Sequence, residues 1–372
     1  YHRIFAEVDG APAVNAPLIV VPHRIDPTVL RGDKRFWGVN AQAYSVQSHS
    51  SWGVGDATDL MDLVSITARE GAQFLLINPM HAIEPATPIE DSPYLPVTRQ
   101  WLNVSYIRPE AVPEYALLPD GARDEIERLR KSVMVETDDW LLDRDSSWAA
   151  KRAALKLIWE APRPLYREAL FQDFCFEGGE SLQNYAVWAA LVEFTGGLDL
   201  PEEFAAPTKP AVADFAESHL KEVDFYKWLQ WIATEQLTDC NRVAKALGMP
   251  IGVMADLAVG IHPRGGEIWA NRADFAPGMY VGAPPDMYSQ QGQSWSQPPY
   301  NPRKLAEAGY EPLRRVIHST LQLSGALRID HILGLFRLWW LPIEGSPAQG
   351  AYVYYDHEAT VGVLLLEAQR AG

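Results

Sequence analysis

Leu327-Arg328-Ile329-Asp330-His331 runs straight into the apolar segment Ile332-Leu333-Gly334-Leu335-Phe336-Arg337-Leu338-Trp339-Trp340. Side chains of a β-strand alternate between its faces, so Arg328 and Asp330 project from the same side. Two charges in so apolar a neighbourhood cost desolvation energy, and a chain that keeps them there has a reason. One reason is chemical: a guanidinium fixed beside an aspartate holds that carboxylate ionised and aimed, as a nucleophile requires. The other is architectural, an ion pair that closes a strand end. Asp330 is therefore the first candidate catalytic residue, with Arg328 as its support.

Upstream, strand and helix signals alternate. Phe36–Val46 reads as a first core strand. Asp56–Glu70 reads as a helix with Asp56 as N-cap and Gly71 as its stop, and Gln73–Asn78 as a short, wholly apolar strand. After the proline-rich loop Pro79–Pro96, Asp120–Trp159 and Leu165–Thr195 are mainly helical. Gly196–Pro210 is a linker, and Asp224–Leu247 is an amphipathic helix with Phe225, Trp228, Leu229, Trp231, Ile232, Leu237, Val243 and Leu247 on or near one stripe. Pro250–Ile261 is a third buried strand with Asp256 at its end. Val281–Pro302 is a long Gly/Pro/Gln/Ser loop, Arg303–Ser324 is helical, and Leu327–Leu333 is the fourth strand. Tyr1–Val8 and Leu18–Val21, flanking Asp9-Gly10, read as a β-hairpin. Four buried strands alternating with helices describe an α/β fold, either a (β/α) barrel or a doubly wound sheet. No Gly-x-Gly-x-x-Gly follows the first strand, which argues against dinucleotide binding.

The 372 residues carry a formal charge of −16, which disfavours nucleic acid and anionic membrane as partners and suits a neutral ligand. The two cysteines, Cys175 and Cys240, have no metal-like or redox-like spacing, a pattern expected of a reducing, cytoplasmic compartment. No apolar run is long enough to span a bilayer. Templates for a serine-hydrolase elbow, a phosphate-cradling loop and a zinc protease are all missing, so neither a metal nor a cofactor is expected. Thirteen tryptophans are many, and those beside polar, glycine-rich stretches offer flat platforms for the C–H faces of sugars.

Two further segments supply candidates. In the loop Gly282–Pro299, Trp295 and Gln293 place a stacking face beside a hydrogen-bonding arm, and a loop this long inside a compact domain reads as a lid. In Asp91-Ser92-Pro93-Tyr94, Tyr94 is stiffened by Pro93 and presents both a ring and a hydroxyl.

In order along the chain, Arg35-Phe36-Trp37-Gly38, Gln42-Ala43-Tyr44-Ser45, Ser51-Trp52-Gly53-Val54-Gly55-Asp56, Asn78-Pro79-Met80-His81-Ala82, Ser92-Pro93-Tyr94 and Asp256-Leu257-Ala258-Val259-Gly260 occur. Gly282-Ala283-Pro284-Pro285-Asp286, Gly292-Gln293-Ser294-Trp295, Leu327–His331, Gly334–Trp340 and Gln349-Gly350-Ala351-Tyr352-Val353 follow. This series resembles the 4-α-glucanotransferases of the amylomaltase family. The resemblance implies a (β/α)8 TIM barrel of the α-amylase type with only about its first half, strands 1–4, present. Residues 1–24 would be the tail of an N-terminal β-sandwich module, 25–109 the barrel start, 110–247 a mainly helical insertion, and 248–372 strands 3–4 with a lid at 281–302.

It also implies the chemistry. An α-1,4-glucan segment is passed to glucose or another glucan, such as a maltooligosaccharide, through a covalent glycosyl-aspartate on Asp330 supported by Arg328. Tyr94, Asp256, Gln293, Trp295 and His331 would bind substrate. The alternatives are an α-glucan hydrolase on the same barrel and a non-catalytic glucan-binding fragment. Neither end of the chain reads as a natural terminus, and the family's acid/base glutamate is expected a few residues past Gly372, so residues 1–372 alone are expected to be inactive. Two departures stand out: Ser296 where the family usually has Gly, and Ala258 where Pro is common.

Overall fold

The computed structural model describes residues 1–7, 9–10, 13–27, 35–134 and 141–372. Parts of the readings that fall on Val8 and on positions 11–12, 28–34 and 135–140 lie outside the described residues. At the N-terminus, β1 (His2–Ala6) and β2 (Val14–Leu18) pair antiparallel. The second hairpin strand thus precedes the expected Leu18–Val21.

Four parallel strands form one sheet, and the last two along the chain carry Asp256 and Arg328. The four are β3 (Gly38–Ala41), then after α1 (Ala57–Arg69) β4 (Phe74–Ile77), and, beyond a long excursion, β7 (Gly252–Leu257) and β10 (Ala326–Ile329). The sheet order is β10-β7-β4-β3, with every pair parallel. All four strands are shorter than the sequence predicts. After Ala41 the chain turns into a 3-10 helix at Ala43–Ser45, and after Ile329 it turns at His331 (φ +48°) into a 3-10 helix at Ile332–Leu335. Asp330 therefore sits just past a strand end.

Asp56 caps α1 in a reciprocal capping box with Asp59, as expected of an acidic residue at that position. Both carboxylates are buried and share Arg108, at 2.5 Å and 3.0 Å. Lys151, wholly enclosed, reaches within 3.7 Å of Asp56 and donates to the Ser105 carbonyl at 2.6 Å. Burial pushes the Lys151 pKa down, opposed by the Asp56 charge. This cluster locks α1 to the excursion.

The excursion begins with the short antiparallel pair β5 (His81–Ala82) and β6 (Thr98–Leu102). It continues through α2 (Asp120–Ser132), α3 (Arg144–Trp159), α4 (Leu165–Thr195), α5 (Pro210–Ser218) and α6 (Leu220–Ala246). α4 kinks at Gly179, whose φ of +51° and ψ of −143° leave the helical region. The expected linker at 196–210 holds a 3-10 turn at Glu202–Phe204. Trp159, Phe171, Phe225, Trp228 and Trp231 pack ring on ring. Of the stripe expected on α6, Leu247 is exposed because it lies beyond the helix end, and the rest turn inward.

After β7 come α7 (Gly266–Asn271), β8 (Met279–Ala283), β9 (Gln293–Gln297), α8 (Pro302–Glu307) and α9 (Glu311–Gln322). Following β10 are β11 (Arg337–Pro342), β12 (Ala351–Tyr354) and α10 (His357–Ala371). The segment 281–302 is not a structureless loop. β8 and β9 form a hairpin at the edge of an antiparallel sheet ordered β12-β11-β8-β9, and the Gly/Pro-rich tip lies between them. The helical reading of 303–324 resolves into α8 and α9, parted at Gly309 (φ +62°) and Tyr310 (φ +61°).

One close approach sets the position of β10. A side chain at Gly325 would strike the Ile251 carbonyl oxygen, so only glycine lets β10 lie in register along β7. Among the described residues no helix is long and apolar enough to cross a membrane.

Removing the guanidinium from the buried cluster leaves two carboxylates short of their partner. Arg108→Leu is expected to cost about 3–5 kcal/mol of stability, read from the urea midpoint. A change below about 1 kcal/mol would show that the cluster does not hold α1 to the excursion.

Candidate active site

Strand register brings the charges together. β7 and β10 pair with Asp256 opposite Arg328, two residues whose neighbours in sequence give no hint of the pairing. The Arg328 guanidinium then bridges two carboxylates: Nη1 donates to Asp256 Oδ2 at 2.5 Å and Nη2 to Asp330 Oδ1 at 3.0 Å. Tyr94 donates its hydroxyl to the same Asp256 oxygen at 2.9 Å. On the far side, the Trp295 ring stands edge-on to His331 with centroids 5.0 Å apart, and Trp295 Nε1 donates to Gln293 Oε1 at 2.9 Å. His331 follows Asp330 directly, so the seven candidate residues form one continuous series from Tyr94 to Gln293.

The two carboxylates differ in access. The Asp256 side chain is 3% exposed, whereas those of Arg328 and Asp330 are each 40% exposed. Asp330 is the one a ligand can reach. With His331 it lines a cleft of about 730 Å³ whose walls include Leu257, Val259, Val281 and Tyr300. Asp256 instead borders a separate, mainly apolar cavity of about 490 Å³. Its second oxygen, Oδ1, is buried and receives no hydrogen bond from the described residues.

Electrostatics follow from that asymmetry. Burial pushes the Asp256 carboxyl above the usual range, and the Tyr94 hydroxyl and the Arg328 cation pull it back only in part. Tyr94 is pushed up to about 12, by burial first and then by its bond to Asp256, so it stays protonated and donating. Burial lowers the His331 imidazole pKa against the opposing pull of Asp330. Among the described residues no group of three His, Cys, Asp or Glu side chains could hold a metal ion.

Three features escape the sequence reading. His81 is fully buried and pushed down to about 3, chiefly by burial and then by Arg99. As a neutral ring it accepts the Ala258 N–H at Nε2, 3.3 Å away. A proline at 258, the residue the resemblance leads one to expect, has no such donor, so Ala258 makes a bond that proline would forfeit. Arg99, also buried, donates to the Val259 carbonyl at 2.9 Å and pairs with Glu267, which takes the Tyr300 hydroxyl at 2.7 Å. This holds the loop after Asp256. Finally, Ser296 has φ +56°, a conformation that costs an L-residue about 1–2 kcal/mol and glycine nothing. Backbone geometry is thus a physical reason for the glycine that the resemblance leads one to expect there.

A family signature described as 4-alpha-glucanotransferase matches residues 41–372. The chain is 46% identical over 384 residues to a 4-alpha-glucanotransferase of Mycobacterium tuberculosis (strain H37Rv), covering 100% of this chain and 52% of the relative. Its identity to the Haemophilus influenzae 4-alpha-glucanotransferase is 32% over 364 residues, covering 92% and 52%. The crystal structure of amylomaltase from Corynebacterium glutamicum superposes with a TM-score of 0.88 at 43% identity, covering 100% of this chain and 51% of that one. Amylomaltase from Streptococcus agalactiae, solved in complex with acarbose, shares the fold with a TM-score of 0.77 at 18% identity, covering 89% and 66%. The chain spans about half the length of the curated relatives it matches.

Arg328 is one of the two groups that hold the Asp256 carboxyl down, so Arg328→Met is expected to move its titration still higher. Carbon-detected NMR of the aspartate carboxyls reads this directly. An unmoved Asp256 midpoint would mean the bridge carries no electrostatic weight.

Proposed function

Because the chain belongs to the 4-alpha-glucanotransferase family, we propose that it carries the nucleophile-bearing part of an enzyme that moves α-1,4-glucan segments between sugars with retention. Asp330 is the nucleophile. Arg328 binds its Oδ1 and leaves Oδ2 to attack the anomeric carbon. The new C–O bond forms as the glycosidic bond breaks, and the departing sugar oxygen takes a proton from a second carboxyl about 5–5.5 Å away. In this reading that group is a glutamate outside residues 1–372, as the family resemblance implies. An acceptor hydroxyl then displaces Asp330 and gives its proton back to the same base.

The other residues bind. Asp256, too enclosed to meet a ligand directly in this structure, serves the sugar through the Tyr94 hydroxyl it holds, and the Tyr94 ring suits a pyranose face. His331 and the Trp295–Gln293 pair lie on the other side of Asp330 and suit the acceptor. The β8–β9 hairpin covers that side and favours transfer over hydrolysis by limiting water. In this reading the four parallel strands are the first four of a (β/α)8 barrel within 25–109 and 248–372. The helices of 110–247 are its insertion, and β1–β2, within 1–24, are the tail of a β-sandwich module.

One observation carries the proposal: a single guanidinium joins a buried carboxylate to an accessible one at the end of adjacent parallel strands. Incubating the full-length protein with maltotriose should yield a ladder of longer and shorter maltooligosaccharides, and Asp330→Asn should lower the rate by roughly a thousandfold or more. Only shortened products would mean hydrolysis. Full activity of the Asp330→Asn protein would remove Asp330 from the reaction.

A further inference from the structure

We propose that Gln297 is a positioning residue: it ties the β8–β9 hairpin to the Tyr94–Asp256 pair, so that the seating of the hairpin sets the aim of the Asp256 carboxylate. Gln297 ends β9 and is buried, and its Nε2 donates to the Tyr94 carbonyl at 3.0 Å, across 203 positions of sequence. Its side chain also lies against Gly260. A Cβ there would stand 2.6 Å from Gln297 Oε1 and 2.8 Å from Gln297 Cβ, so glycine is what lets the amide in. The amide is thus wedged between the segment that presents Tyr94 and the segment that follows Asp256. Oε1 accepts no hydrogen bond from the described residues, so the N–H half of the amide does the holding.

A bulge in the hairpin aims it. Gly282 pairs with Ser294 and Val281 with Gln297, which leaves Trp295 and Ser296 outside the ladder. Ser296 takes up the turn at φ +56°. Trp295 is thereby delivered to His331, while Gln297 is delivered to Tyr94. One local distortion fixes a contact on each side of Asp330. The Tyr94 hydroxyl passes the constraint to Asp256 Oδ2.

The kinetic arm of the test rests on the glucan-transfer reading, and the spectroscopic arm does not. In the full-length protein, Gln297→Met keeps the volume and loses the donor. It is expected to lower kcat/KM for maltotriose about fivefold to tenfold, the worth of one hydrogen bond, with the thermal unfolding midpoint retained. In a Tyr94→Phe background the same change should cost nothing further, because the residue acts through Tyr94. Gln297→Glu supplies a conditional donor. Its carboxylate repels the Tyr94 carbonyl at neutral pH, but once protonated it donates, and burial raises the pH at which that happens. Activity relative to wild type should therefore recover on acidification in Gln297→Glu and stay flat in Gln297→Met. Equal penalties with and without the Tyr94 hydroxyl, or no acid recovery, would overturn the proposal. If the wild-type protein transfers no glucan, the functional reading fails on its own and the ring resonance of Tyr94 in ¹³C-tyrosine-labelled protein decides. A shift in Gln297→Met upholds the link, and an unmoved resonance overturns it.

Discussion

The Arg328 guanidinium, bonded at once to Asp256 and Asp330, is the contact on which the rest depends. Two carboxylates beside one cation leave a net negative charge, and burial raises the pKa of Asp256. The division of labour is set by depth. Asp256 lies inside β7, enclosed and hydrogen-bonded by Tyr94, while Asp330 lies past the end of β10 and faces a cleft. The cation therefore anchors to the buried partner at the shorter distance and steadies the exposed one. Neither carboxylate could be held this way if β10 slipped by one residue, since that would turn Arg328 to the opposite face. Gly325 and the Ile251 carbonyl guard the register.

Around this contact the molecule is arranged in supports that each restrain one loop. His81 holds the Ala258 amide, and Arg99 with Glu267 holds the Val259 carbonyl. Both fix the chain immediately after Asp256. The β8–β9 hairpin, edge strand of the second sheet, brings Trp295 against His331. Its bulge is held at Ser296 despite the cost of a left-handed serine, which shows that the geometry of the bulge matters more here than its local ease.

Much of this was legible in the sequence. Apolar runs marked β4 and β7, the Asp56 cap and Gly71 stop bounded α1, and the two acidic residues at strand ends stood out because charge is costly there. What escaped was long-range. The pairing of Asp256 with Arg328 spans 72 positions and depends on strand register, which no local pattern encodes. The hairpin reads as a loop because four of the five residues Gln293–Gln297 are polar and its flanks are rich in Gly and Pro. The roles of Gln297 and His81 had no signal: an amide beside two prolines and a histidine within the motif Asn78–Ala82 acquire them only when remote segments close on them.

Under the proposed function Asp330 bonds covalently to a sugar. Incubating the full-length protein with a 5-fluoro-α-glucosyl fluoride, a donor whose glycosyl-enzyme breaks down slowly, and mapping the peptides by mass spectrometry tests it directly. A single fluoroglucosyl unit on the side chain of Asp330 is the predicted result. Label on another residue, or none while the donor is still consumed, would contradict it.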